Sequence, residues 1–380
     1  MRKKVFSKNM IVYVLVVTLA LLLLYIGNRL ASRETIIDYS HDEFQATRAK
    51  VTAVLDVQTE ETEWWSGTSV LFEAEILSGS YAGRTVRVIQ DIGSHHGNLD
   101  SEVRVGDRVL LWVAEEGWFF AGHVKINAVL ILGIVFALLL ILFGRMKGVN
   151  AILSLGFKCA AIFAVFIPAI LSGRNIYISA IIVCVYSIVV TLFILYGVNR
   201  KSLAAIAGCF GGVIAAGLLT LLMSSITRLT GVLDTESLFL LDLPTGHPID
   251  LKAIIFAGII IGAVGAIMDV AVSISSALFE LMAQAPELAF KELFKSGINI
   301  GKDIMASMTN TLVLAYIGSS LSVLLIIIVY SASLTELLNR EMIIVELLQA
   351  IIGSMGILFA LPLTALVCAG LFSPARNNGD

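Results

Sequence analysis

The sequence predicts an α-helical polytopic membrane protein of about eight transmembrane helices with a small extracytoplasmic antiparallel β domain. Three observations predict it. Apolar residues make up 58% of the chain and charged residues 14%, against roughly 25% charge in a soluble protein. Mean hydropathy is +0.91. The apolar residues gather into runs of about 20, the length that crosses about 30 Å of hydrocarbon, and one large hydrophilic stretch, residues 28–126, interrupts them.

The first run, Met10 to Ile26, follows Arg2, Lys3, Lys4 and Lys8. It is longer than the core of a signal peptide, and no clear small-x-small cleavage site follows, so residues 1–27 read as an uncleaved span. Residues 28–126 then alternate with period two. Val51, Ala53, Leu55 and Val57 share one face, and Phe72, Ala74 and Ile76 another. Val86 and Val88, then Val109, Leu111 and Val113, then Trp118 to Val124 continue the pattern. Ser78-Gly79, Ala82-Gly83, Gly93 and Val105-Gly106-Asp107 supply turns. Five short strands with such turns predict a small barrel of the oligonucleotide/oligosaccharide-binding (OB) type. Trp64, Trp65, His95 and His96 fall in its expected loops. The histidine pair has the donors for a metal but reads as solvated loop, and the tryptophans suit a core or a membrane interface better than a ligand platform.

Residues 127–380 hold seven further runs, at about 127–145, 150–172, 176–197, 203–226, 253–279, 305–330 and 343–372. Cations sort them by the positive-inside rule. The N-terminal group, Arg145 with Lys147, Arg200 with Lys201, Lys291 with Lys295 and Lys302, and Arg376 fall inside; Arg174, Arg228 and Arg340 are lone cations outside. Both termini are therefore expected in the cytoplasm. Pro168 predicts a kink in the third run. Gly208-x3-Gly212 in the fifth predicts close helix packing. Cys159, Cys184, Cys209 and Cys368 all lie in apolar runs, which suits buried thiols and not a disulfide framework. Loop 227–252, with Pro244 and Pro248, reads as an external connector.

Two segments stand apart. In Gly262-Ala-Val-Gly265-Ala-Ile-Met-Asp269-Val-Ala-Val-Ser273-Ile-Ser275-Ser276-Ala-Leu-Phe-Glu280, helical spacing puts Gly262, Gly265, Asp269, Ser273, Ser276 and Glu280 on one face. In Gly301-Lys-Asp303-Ile-Met-Ala-Ser307-Met-Thr309-Asn310-Thr311-Leu312, Asp303, Ser307 and Asn310 share a face with Thr311 beside them. Asp269 to Leu278 aligns with Asp303 to Leu312, a hint of a short inverted repeat. A charge at the depth of Asp269 costs ~2.5–3.5 kcal/mol on insertion scales, so it calls for a partner, a cavity or an ion path. Lys158 is the one basic residue in the middle of a run, and hence the ion-pair partner the sequence offers. The hydroxyls and the Asn310 amide are hard oxygen donors suited to Na⁺ or a polar solute. Residues 284–301, with Leu288, Phe290, Leu293 and Phe294, suggest an amphipathic cytoplasmic linker on the membrane surface.

Through Gly265-Ala-Ile-Met-Asp269-Val-Ala-Val-Ser-Ile-Ser-Ser276 and Gly297-Ile-Asn-Ile-Gly301-Lys-Asp303-Ile-Met-Ala-Ser-Met-Thr-Asn-Thr-Leu312, the chain resembles the YibE/F-like family of bacterial membrane proteins. The layout of one N-terminal span, an external β-rich segment and a multi-span core is similar too. The resemblance implies a bacterial plasma-membrane protein and supplies no activity.

Function therefore rests on the residues. The leading expectation is a permease or secondary transporter in which Asp269 binds a coupling H⁺ or Na⁺. Ser273, Ser276, Ser307, Asn310 and Thr311 would add neutral ligands, and Asp303 would line the cytoplasmic exit. No organic cofactor or metal is called for. Gly-x4-Gly-Lys-Ser/Thr is absent, so ATP would need another chain. Expected partners are the bilayer, a small solute or ion, and a membrane or envelope protein; nucleic acid is not one. The alternative is an envelope scaffold or accessory subunit acting through the β domain. An intramembrane aspartyl enzyme is disfavoured, since Gly-x-Gly-Asp, His-Glu-x2-His and Gly-x-Ser-x-Gly are absent.

Overall fold

The computed structural model describes residues 2–32, 46–62, 65–93, 100–114, 117–243, 247–330 and 333–372. The side chains of Trp64, Trp65, His95, His96, Pro244 and Arg376, and of Arg2, Lys3, Lys4 and Lys8, lie outside the described residues. The chain divides into two compact units, residues 1–37 with 140–380, and residues 38–139.

The smaller unit is a five-stranded antiparallel sheet. Its strands are β1 (Thr47–Thr62), β2 (Trp65–Ile76), β3 (Thr85–Gly93), β4 (Arg108–Ala114) and β5 (Gly117–His123), in the order β3-β2-β1-β4-β5. β3 and β5 also approach each other, so the sheet is nearly closed into a barrel. Ala49, Val51, Val70, Phe72, Ala74, Val88, Val109 and Leu111 fill it. Gly83 (φ 84°) and Gly106 (φ 98°) take turn conformations that disfavour a side chain. Gln90, fully buried, donates to the Ser101 carbonyl at 3.0 Å and accepts from Val103 N–H at 2.9 Å, which pins the loop before β4. The expected alternation fails in β1. Val51 pairs with Ala74 and Ala53 with Glu73, then Val54 with Phe72 and Asp56 with Leu71. Each skip is a bulge at which the extra residue reverses the facing of those after it. Val54 therefore turns inward, while Leu55 and Val57 are 45% and 49% exposed.

The helices are α1 (Arg2–Ala31), α2 (Ile126–Gly144), α3 (Met146–Ala161), α4 (Ile167–Leu171), α5 (Ile176–Tyr196), α6 (Arg200–Ile226), α7 (Thr235–Phe239), α8 (Leu251–Gln284), α9 (Phe290–Ser319), α10 (Leu321–Tyr330), α11 (Leu334–Asn339) and α12 (Glu341–Phe372). Among the described residues seven helical segments are long and apolar enough to cross a membrane, or eight with α9 and α10, bent by 63°, taken as one. The core of the larger unit lies between α5, α6, α8, α9 and α12, around Ile188, Leu192, Ile267, Ile274, Leu278 and Leu293.

Glycines set the closest approaches. A methyl on Gly212 would lie 2.7 Å from the Gly356 carbonyl and 2.8 Å from Ile267, and one on Gly208 would collide with Thr364. The Gly208-x3-Gly212 pair is thus where α6 crosses α12. Pro168 follows a π-type turn, Ile162–Phe166, between α3 and α4. Proline has no N–H for the carbonyl four residues back. That carbonyl, of Ala164, accepts instead from Asn28 Nδ2 of α1 at 2.6 Å.

Residues 290–319 are one helix, where the sequence suggested a surface linker followed by a span from residue 305. Leu293 is fully buried, and methyls on Gly297 and Gly301 would strike Leu278 and Ala365, and Ile274 and Leu361. Small residues let α9 seat against α8 and α12 well before residue 305. The helix breaks after Ser319, whose hydroxyl bonds the Tyr316 carbonyl at 2.9 Å. Loop 227–250 is packed as well: Leu229 and Ile249 are buried, and Glu341 accepts from the N–H groups of Thr230 and Gly231 and from the Thr230 hydroxyl.

Candidate functional site

Asp250 caps α8 by accepting from Ala253 N–H at 3.2 Å. The helix then runs 34 residues with two unlike faces. Ala263, Ile267, Val270, Ala271, Ile274 and Leu278 are fully buried. The other face carries Gly262, Gly265, Asp269, Ser273, Ser276 and Glu280, which are exposed or half-buried. The polar stripe read from the sequence is thus the face that α8 turns away from its core. Ser275, off that stripe, is buried and bonds the Val272 carbonyl at 3.1 Å.

A cleft of about 280 Å³ opens beside the upper part of this stripe. Leu155, Lys158 and Cys159 of α3, Val183, Cys184 and Ser187 of α5, and Gly262 and Gly265 of α8 line it. Asp269 lies one turn beyond Gly265 along the same stripe. Lys158 is close enough to act electrostatically on Asp269. The two are nonetheless not in contact: among the described residues the ion pairs within 4.0 Å are Arg87–Glu73, Lys125–Asp100 and Arg340–Glu336.

The seventh-run residues lie elsewhere. Asp303, Ser307, Asn310 and Thr311 are exposed along one side of α9. That side is opposite Gly297 and Gly301, through which α9 meets α8. The side chain of Thr311 bonds back to the Ser307 carbonyl at 3.0 Å. α8 and α9 are antiparallel, as expected: Leu278 neighbours Gly297, Ile274 neighbours Gly301, and Gly262 neighbours Tyr316. The α8 stripe meets α9 only at its Gly262 end, under Tyr316, and no contact between Asp269 and Asp303 is found among the described residues. Asp303 lies two residues past Gly301, which neighbours Ile274, and is exposed.

One group escaped the sequence reading. Glu346 lies five residues into α12, and its Oε2 is buried with no hydrogen-bond partner among the described residues. Gln349 is on the next turn, and Tyr316 of α9 reaches over. A methyl on Gly262 would lie 2.7 Å from the Tyr316 hydroxyl and 3.4 Å from Gln349 Nε2. The one available signal was a carboxylate inside an apolar run, masked because it stands near the end of that run.

Long apolar helices, a polar stripe with a cleft along them and a small barrel-like sheet are compatible with a multi-pass membrane protein. The chain belongs to the YibE/F-like protein family, whose profile matches residues 132–374 and so takes in the cleft, both polar stripes and Glu346. Neither curated proteins nor solved structures gave a match.

Proposed function

We propose that the chain is a bacterial plasma-membrane permease, a secondary transporter coupled to H⁺ or Na⁺ through Asp269 and moving a small solute or ion. Both termini lie in the cytoplasm, residues 28–126 lie outside, and eight spans cross the bilayer. The observation that carries this reading is the separation of Lys158, which lines the cleft, from Asp269, one turn beyond the cleft residue Gly265. A structural clamp at membrane depth holds its charges in contact, because desolvation is offset only by close pairing. Two opposite charges held apart beside a cleft are instead free to exchange partners with a cation. Ser273 and Ser276 continue the stripe from Asp269 toward Glu280 and supply neutral oxygens. The α9 set Asp303, Ser307, Asn310 and Thr311 forms a separate face on this reading, not part of the Asp269 site.

The test is flux in liposomes, with pH- and Na⁺-sensitive dyes and a panel of small solutes. Wild type is expected to carry H⁺ or Na⁺, and Asp269→Asn to lose that flux while eluting as wild type does on gel filtration. Equal flux in the two would remove Asp269 from the coupling role. A second reading, an envelope scaffold, is favoured by the outer surface of the sheet. There Trp112 and Phe119, paired across β4 and β5, are 44% and 46% exposed. It expects Asp269→Asn to be tolerated while polar substitutions at Phe119 abolish function.

A further inference from the structure

We propose a second cation site, formed by Glu346, Gln349 and Tyr316, at the outer end of the α8 stripe. It takes a small monovalent cation, H⁺ or Na⁺. Three independent features converge there. A carboxylate oxygen buried without a protein partner is costly unless something neutralises it, and Glu346 Oε2 is such an atom among the described residues. The Tyr316 phenol, which interacts with Glu346 and shares a side-chain hydrogen bond with Gln349 one turn on from Glu346, is a hard oxygen of the class that suits Na⁺ or a proton. The third feature is Gly262, whose missing side chain leaves room for the Tyr316 hydroxyl over α8.

Position gives the site its use. Gly262 also lines the cleft that holds Lys158. Along α8 it stands seven residues, about 10 Å, from Asp269. Glu346 lies about 8 Å from the start of α12, the end at which Glu341 ties the loop after α6. A cation entering from that end meets Glu346 first, passes Tyr316 and Gly262, and reaches the cleft and Asp269. Around this end of α12, Tyr316 of α9 lies over Gly262 of α8 beside Gln349, and α6 presents the apolar Leu219 and Met223. The site rests on reading the α8 stripe as a cation route, but its signal is one of binding and is measured without flux.

The test uses the full chain in nanodiscs. Binding of radioactive sodium is measured by scintillation proximity. In parallel, the infrared C=O band of protonated carboxyls is followed through a pH titration. For Na⁺, Glu346→Gln is expected to bind one saturable equivalent fewer than wild type, any equivalent held at Asp269 remaining. For H⁺, a carboxyl band vanishes in Glu346→Gln and sodium does not displace it. Gly262→Ala pushes a methyl at the Tyr316 hydroxyl and should weaken whichever signal is present roughly tenfold. Gly258→Ala, one turn away with open space around it, should leave that signal unchanged. A sodium stoichiometry and a carboxyl band both unchanged from wild type in Glu346→Gln and in Gly262→Ala overturn the proposal, as does the absence of both signals from wild type. Binding at Glu346 without flux would keep the site and refute the permease; flux without the Glu346 signal would do the reverse.

Discussion

Breaking a buried ion pair that is in contact costs about 3–5 kcal/mol, because the survivor is left charged without its partner. Lys158 and Asp269 are near enough to sense each other yet form no ion pair within 4.0 Å. Lys158→Met should therefore lower unfolding stability by less than about 1 kcal/mol, measured by SDS titration in mixed micelles. A loss near about 3 kcal/mol would make the pair a clamp. Asp269 was legible in the sequence because a carboxylate in the middle of an apolar run has no ordinary explanation. Glu346 was not, because a carboxylate near the end of a run looks like a residue at the water interface. Only the packing of Tyr316 and Gln349 over α8 shows that its oxygen is buried.

At the scale of elements, local signals were legible and their remote partners were not. Pro168 announces a break in the third run, and the Gly208-x3-Gly212 pair announces a close crossing. That Asn28 of α1 supplies the bond Pro168 withholds depends on residues 136 apart in sequence, which no local pattern records. Asn28→Ala should cost about 1 kcal/mol of stability, the scale of a hydrogen bond between membrane helices. The same change in a Pro168→Ala background should cost close to nothing, since an alanine at that position regains an N–H for the Ala164 carbonyl. A double-mutant cycle measures the difference, and a cost independent of residue 168 would show that Asn28 acts otherwise. The failure in β1 has a comparable cause. Period-two spacing locates a strand, but a bulge costs one residue of register and leaves no mark in composition. In α9, charges at Lys291, Lys295 and Lys302 suggested water, while Gly297 and Gly301 between them were the signal for a packed helix.

For the whole molecule, neighbour relations within the larger unit fix the direction of each helix. Tyr13 bonds Asn150 and Asn28 bonds Ala164, so α1 and α3 run parallel. α2, with 19 residues and about 28 Å of rise, is long and apolar enough to cross a bilayer. Asn150 also donates to the Ile194 carbonyl, so α5 runs back along α3. Gly212 meets both Ile267 and Gly356, while Gly217 meets Ile260 and Gly208 meets Thr364, which sets α6 antiparallel to α8 and to α12. Because Glu341 is tied to Thr230, α12 starts at the end where α6 finishes. Between the far end of α8 and that point the chain has α9, α10 and the short α11, and on the proposed topology α9 and α10 together make one crossing despite their 63° bend. On that proposal the count is even, as the alternation of cations along the sequence expects. Cysteine labelling tests it, in a chain whose four native cysteines are replaced by alanine. In intact cells a membrane-impermeant maleimide should reach Ser80→Cys in the β unit and Thr335→Cys in α11. Glu287→Cys, between α8 and α9, should react only after lysis. Labelling of Thr335→Cys only after lysis would mean that α9 and α10 turn back without crossing. The even count, and with it the placing of both termini on one side, would then fall.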